Sequence, residues 1–351
     1  MEKYVVSRDD TIYEAWPDVV LTDSGKLICV FRECAHHQDG DFSHLVMCES
    51  TDKGRTWSKK KDINKFEDIS KIWNCPKISK TSDGTLIILC DLDIFGDNSF
   101  SYQIYMYKSV DDGETWTGPE AIPAYGICPD QLIETKTGRW IIAYHSCESD
   151  AEHNVSYVSY SDDKGKTWSE GKEMIENANM DLHEPTVLEL SDGTLVCYFR
   201  IDTHTKMRGM KAFSYDNGET WIDFCETNLP GLHRPIAHKL KSGNIFLTFR
   251  LAHGSWKGKW GFQSQIFAAA LMSEESCKAT ELENQNVRIM PLDFDRNEEP
   301  DLGYSGIAQF DDGEIYIVNY IMDDAPKAQI RGYSLREDEF VQFKADRTKK
   351  R

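Results

Sequence analysis

Glu184 and Arg200 are two residues whose types and spacing suggest chemistry. They bracket a stretch that reads as a strand from Thr186 to Leu190, a tight turn on Ser191, Asp192 and Gly193, and a second strand from Leu195 to Phe199. A hairpin folds its two ends back together. A carboxylate and a guanidinium 16 residues apart in sequence are therefore expected side by side at one rim of a sheet, as part of a site. An arginine there suits an anion, because its planar fork gives two charge-assisted hydrogen bonds and does not lose its proton.

The same hairpin is written six times, which supplies the elements that position these residues. Its turn glycines are Gly25, Gly84, Gly138, Gly193, Gly243 and Gly313, spaced 59, 54, 55, 50 and 70 residues apart. That period is too long for a solenoid unit and fits one four-stranded propeller blade. The chain is therefore expected to be all-β, a single six-bladed β-propeller over residues 1–351, with blades opening near residues 15, 74, 127, 183, 233 and 302. In such a ring the hairpin ends converge near the axis on one face. Arg32, Asp91, His145, Arg200, Arg250 and Tyr320 end hairpins, and Asp18, Lys77, Asp130, Glu184, Arg234 and Tyr304 begin them. The alternative for each arginine is a structural pair with a neighbouring Asp or Glu.

Between hairpins lies a second repeat, Ser-x-Asp-x-Gly-x-Thr-Trp, ending at Trp57, Trp116, Trp168 and Trp221. Its logic is local: the Asp accepts backbone N–H groups of its own turn, the Gly supplies a positive φ, and the Trp packs beneath. These boxes are expected to hold outer strands together, on the rim opposite the site. Blade five departs from the repeat, with a degraded box at Met272–Cys277 and a long segment carrying Trp256 and Trp260. Those tryptophans either stack on a sugar face or cap the blade core. Glu2–Ser7 has no hairpin partner of its own, so it or residues 339–343 is expected to complete the last blade.

A net charge of −19 argues against nucleic acid or an anionic membrane as partner, since either would be repelled over the whole surface. There is no membrane-spanning apolar run and no signal-peptide core at the start, so the chain as given reads as cytoplasmic. Its ten cysteines show no paired spacing and read as reduced core residues. No cofactor or metal motif stands out. The loop after Arg32, which carries His36, His37, Asp39 and Asp41, is the segment richest in site-type residues.

With its boxes and hairpins on the page, the chain resembles the sialidase (neuraminidase) superfamily over nearly its whole length, in the bacterial branch described by BNR or Asp-box repeats. The resemblance implies that Glu184 precedes the fourth-blade hairpin and that Arg200, a carboxylate-binding arginine, ends it. It further implies Tyr304, in the Gly303-Tyr304-Ser305 context, as nucleophile supported by Glu184; Arg250, or next Arg234, as a further carboxylate-binding arginine; and Asp39 or Asp41 as acid/base. One departure is plain. Sialidases open blade one with Arg-Ile-Pro, whereas this chain has Ala15, Trp16 and Pro17, leaving Arg32 to supply a charge from the other end of the hairpin.

The reading is a sialidase-like exo-glycoside hydrolase that takes a carbohydrate partner, a terminal acidic sugar on a glycan. A neutral phenol polarised by Glu184 avoids the repulsion that a carboxylate nucleophile would meet beside a substrate carboxylate. Arg32, Arg200, Arg250, Arg234, His37, Asp130, His183 and His233 are the candidate substrate-binding residues. One alternative is a polysaccharide lyase in which Tyr304 or a histidine (His37, His183 or His233) removes a proton next to a uronate carboxylate. The other is a propeller that binds carbohydrate without chemistry. Tyr304 and Glu184 are expected to touch although 120 residues separate them.

Overall fold

The computed structural model describes residues 1–37, 42–66, 71–95, 100–147, 153–176, 180–201, 208–255 and 262–340. Six four-stranded antiparallel sheets follow one another along the chain, each ordered from its first strand outward. The first strands of blades one to six are Tyr13–Leu21, Lys71–Lys80, Ile133–Glu134, Leu182–Glu189, Leu232–Lys239 and Leu302–Gln309. Blade six takes Glu2–Ser7 as its outermost strand, paired antiparallel with Gln329–Leu335, so the ring is closed by the first of the two expected segments. Residues 339 and 340 belong instead to a short 3-10 helix, Glu337–Phe340.

Burial follows from a sheet packed between two others. The second strand of blade one, Leu27–Cys34, is buried along its whole length. The outermost strand of blade two, Thr117–Ala121, is exposed throughout. A strand covered on both faces needs apolar residues at consecutive positions, as in the run Leu86, Ile87, Ile88, Leu89 and Cys90, each fully buried. The buried apolar side chains sort into six clusters, one at each junction between adjacent blades. The core is thus a ring of interfaces.

Each first hairpin closes in the same way, its glycine donating to the residue three before it, as from Gly25 to Thr22 at 3.1 Å and from Gly193 to Leu190 at 3.1 Å. The six turn glycines hold φ between 83° and 91°, where a Cβ would be strained. The boxes dock on these turns. Asp112 accepts from Ser24 at 2.5 Å, Lys53 reaches Asp312 at 2.7 Å, Lys164 reaches Asp83 at 2.7 Å, and Asn217 donates to Thr137 at 2.9 Å. In every case the box of one blade grips the turn of the preceding blade. The boxes therefore lie at the turn end of the inner strands, away from the end that begins with residues such as Trp16 and Tyr304.

Candidate active site

At the other end of the inner strands a single backbone device is repeated. Pairing between the first and second strands slips between Ala15 and Asp18, Asn74 and Lys77, His183 and Thr186, His233 and Ile236, and Gly303 and Gly306. A residue inside each slip, together with Cys128 at the matching place in blade three, stands in the left-handed region. These are Trp16, Cys75, Cys128, Glu184, Arg234 and Tyr304, with φ from 44° to 54°. Such torsions cost a non-glycine residue about 1 kcal/mol. In five of the six the next residue is proline (Pro17, Pro76, Pro129, Pro185, Pro235), which has no N–H to leave unpaired where the ladder slips.

The bulge turns these six side chains toward the axis, where they meet across blades. Tyr304 donates a short hydrogen bond to Glu184 Oε1, and its hydroxyl lies 3.6 Å from Cys128 Sγ. Cys128 Sγ is 3.4 Å from Cys75 Sγ. The Trp16 and Tyr304 rings are 5.9 Å apart edge to face, and Arg234 Cζ stands 4.8 Å from the Tyr304 ring centre.

Arginines surround this knot. Arg200 Nη1 donates to Glu184 Oε1 at 2.9 Å. Arg250 Nη1 binds the Leu302 carbonyl at 2.9 Å and lies 4.0 Å from Asp301 Oδ1. Arg234 holds the carbonyls of Cys128 and Pro129 at 3.4 and 3.0 Å. Arg32 stacks on Trp16 at 4.6 Å and donates through Nη1 to Asn74 at 2.6 Å. Its Nε and Nη2 edge is buried with no hydrogen-bond partner among the described residues, as is Glu184 Oε2. Burial disfavours a charged Glu184, but Arg200, Arg234 and Arg250 outweigh it and hold the carboxyl well below the usual range. Burial, with the charges of Cys128 and Glu184 behind it, raises the Tyr304 phenol well above its ordinary value. The site thus keeps a protonated phenol against an ionised carboxylate.

A second carboxylate organises the neighbouring wall. Asp301 accepts from Tyr13 and, at 2.7 Å, from Tyr320, while His37 Nδ1 lies 2.5 Å from its Oδ2. Burial together with the positive charges of Arg200 and Arg250 keeps His233 neutral, its pKa well below the ordinary value. His183 stacks edge-on with His145 at 5.1 Å, and its Nε2 is 3.9 Å from Asp181.

The structure thus gathers Tyr304, Glu184, Arg200, Arg234 and Arg250, with Arg32 joined through Trp16 and His37 through Asp301 and Trp16. Asp130 requires a correction, as do Asp18 and Lys77. Each lies two residues past a bulge position, and the slip reverses which way that side chain faces. Asp130 accepts from the Val187 amide at 2.9 Å and Asp18 from the Ile78 amide at 2.9 Å, while Lys77 donates to the Ser305 carbonyl at 2.9 Å. They brace inner strands against one another. All ten cysteines are free thiols; Cys75 and Cys128 are buried core residues whose sulfurs meet near the axis, and only Cys147 and Cys225 are half-buried. Asp39, Asp41, Trp256 and Trp260 lie outside the described residues.

Trp16, Asn74, Cys75, Cys128 and Asp301 were absent from the sequence-based site. The signal that finds three of them is the residue preceding proline in five of the six repeats, the position that already yields Glu184 and Arg234. Asp301, Asn74 and their partners carry no such mark. Among the described residues no group of three or more His, Cys, Asp or Glu side chains is placed to hold a metal ion.

Comparison with known proteins agrees with this architecture. A family profile described as a BNR repeat-like domain matches residues 63–317, more than half of the chain. A sialidase of Clostridium perfringens is 27% identical over 184 residues, 46% of either chain, so this chain spans about half the length of the curated relatives it matches. A Dyadobacter fermentans protein of unknown function superposes with a TM-score of 0.80 at 20% identity, covering 96% of this chain and 98% of that one. A leech intramolecular trans-sialidase superposes at 0.67 with 14% identity, covering 93% of this chain and 68% of its own. At such identities the structural likenesses speak for the fold.

Proposed function

The chain belongs to the BNR repeat-like domain family, and from that premise we propose that it is a sialidase-like exo-glycoside hydrolase removing a terminal acidic sugar. The hydrogen bond from Tyr304 to Glu184, inside a ring of arginines, is the observation that carries this reading. A phenol that stays neutral at working pH can approach an anomeric centre next to a carboxylate without like-charge repulsion. As the Tyr304 oxygen bonds to the anomeric carbon, its proton passes to Glu184 Oε1. Arg200 and Arg250 hold the sugar carboxylate, and Arg32 presents its unpartnered edge to the same anionic face. Asp39 or Asp41 protonates the departing oxygen and later activates the water that releases the sugar. His37, anchored by Asp301, and the neutral His233 contact sugar hydroxyls, with His183 beside them.

Tyr304→Phe tests the assignment, since the ring stays and only the reacting oxygen is lost. Assayed on aryl glycosides of sialic acid, Kdo and uronic acids, the variant is expected to lose turnover by roughly 10^3-fold or more with binding largely kept. Unchanged turnover would make Tyr304 a wall of the pocket. An unsaturated product absorbing in the ultraviolet would mark a lyase instead.

A further inference from the structure

We propose that Cys75 and Cys128 form a peroxide-sensitive dithiol beside the propeller axis, Cys128 being the thiol that reacts first with the peroxide and Cys75 the one that closes the disulfide. Both occupy bulge positions, so their side chains face the axis, and their sulfurs stand 3.4 Å apart. Sealed cysteines behave differently. Cys29, Cys90, Cys197 and Cys277 have no exposed surface, whereas Cys75 and Cys128 keep 4% and 6%.

The surroundings assign the order of attack. The Cys75 thiol hydrogen-bonds to the Cys128 sulfur and favours its thiolate; burial opposes this, and the adjacent His145 reinforces it. His145 Nδ1 donates to the Ser146 carbonyl at 2.7 Å, which fixes the orientation of the ring. Burial raises the Cys75 thiol well above its ordinary value, the character of a resolving thiol that reacts second.

The chemistry balances with a hydroperoxide as oxidant. The Cys128 thiolate attacks one peroxide oxygen, the O–O bond breaks, and hydroxide leaves, giving a sulfenic acid. Cys75 sulfur then displaces that oxygen as water, its proton completing the leaving group, so two thiols are oxidised by two electrons as the peroxide is reduced. The new bond joins blades two and three at the axis.

The test uses the full chain and hydrogen peroxide. Native protein is oxidised, quenched, alkylated, digested without reductant and mapped by mass spectrometry. The expected result is a Cys75–Cys128 linked peptide that dithiothreitol abolishes, appearing before oxidation of the half-buried Cys147 and Cys225. Alkylated Cys75 and Cys128 alongside oxidised Cys147 or Cys225 would overturn the proposal. In Cys75→Ala, a dimedone adduct is expected on Cys128; its absence, with peroxide consumed elsewhere in the chain, would overturn the order of attack. Because the wild-type map needs no substitution, a poorly folding variant does not obscure the outcome. The mass readout is independent of catalysis, so a failure of Tyr304 as nucleophile would leave the dithiol standing.

Discussion

Asp93 shows how far the axial environment reaches at the scale of one residue. It lies on the second strand of blade two, Leu86–Phe95, where Oδ2 accepts from Asn74 at 2.7 Å and Oδ1 is buried without a partner among the described residues. Burial, helped by the Cys128 sulfur and opposed by Arg32, raises its carboxyl from 3.8 to about 7. A carboxyl that binds its proton more tightly when folded contributes stability that is fully present below its unfolded value. That contribution is lost as pH rises through the folded value. The native state should therefore weaken between about pH 4 and about pH 7 on account of this group. Asp93→Asn removes the charge while keeping an acceptor for Asn74. We expect it to stabilise the protein by on the order of 2 kcal/mol at pH 8 and to change little at pH 4. Thermal or urea unfolding at the two pH values checks this, and an equal effect at both would rule the mechanism out.

At the scale of elements, each blade carries two devices at opposite ends of one hairpin. The bulge aims a residue at the axis, and the box fastens the blade to its neighbour's turn. Gly54 shows why the box requires glycine: it holds φ of 79°, and a Cβ there would lie 2.2 Å from the Tyr316 ring of blade six. Where the box sequence fails in blade five, a short helix, Glu274–Lys278, capped by Ser273, takes over. Its Lys278 reaches the preceding turn at Asp192 at 2.6 Å, and Cys277 meets Tyr198 at 3.1 Å. The 3-10 helix after blade six does the same through Glu337 and Asn244. Asp216 in the fourth box accepts from the Thr220 amide at 2.8 Å, the Thr220 hydroxyl at 2.5 Å and Ser214 at 2.8 Å. Asp216→Ala is expected to destabilise by about 1 kcal/mol, a modest loss for partly solvated hydrogen bonds. Turnover at moderate temperature should be unchanged, because the box lies on the rim opposite Tyr304. Unfolding midpoints and kcat, measured on one preparation, separate the two effects.

For the molecule as a whole, ring closure decides whether the site is assembled. Residues 304, 184 and 32 belong to blades six, four and one, and only a closed ring brings their side chains to one axis. Glu2–Ser7 covers the edge of Gln329–Leu335, and Met1 and Lys3 add ion pairs to Glu339 and Asp293 at 2.5 and 2.6 Å. Removing residues 1–7 is expected to lower Tm by on the order of 5–10 °C and to promote association through the uncovered edge. Calorimetry with light scattering tests both, and an unchanged midpoint would mean that the outer strand contributes little to closure. The chain carries a net charge of −19 around an axial cluster of arginines, so anionic ligands are favoured there against the field of the rest of the molecule.

The sequence by itself determined the repeat, because turn glycines, boxes and X-Pro steps are local requirements of backbone torsion and hydrogen bonding that leave a mark at fixed spacing. From it the six blades, the need for one of two terminal segments to close the ring, the distant rim of the boxes and the meeting of Glu184 with both Arg200 and Tyr304 could be read. It did not determine which residue of each opening faces the axis. Side chains alternate along a strand with a period of two, so the bulge decides whether Cys128 or Asp130 points inward. That bulge is a torsion at one residue, which tertiary packing imposes. The cluster on Asp301 and the thiol pair of Cys75 and Cys128 likewise join residues with no spacing rule between them. Only the closed ring, by fixing the radius at which six inner strands meet, brought those groups within reach of one another.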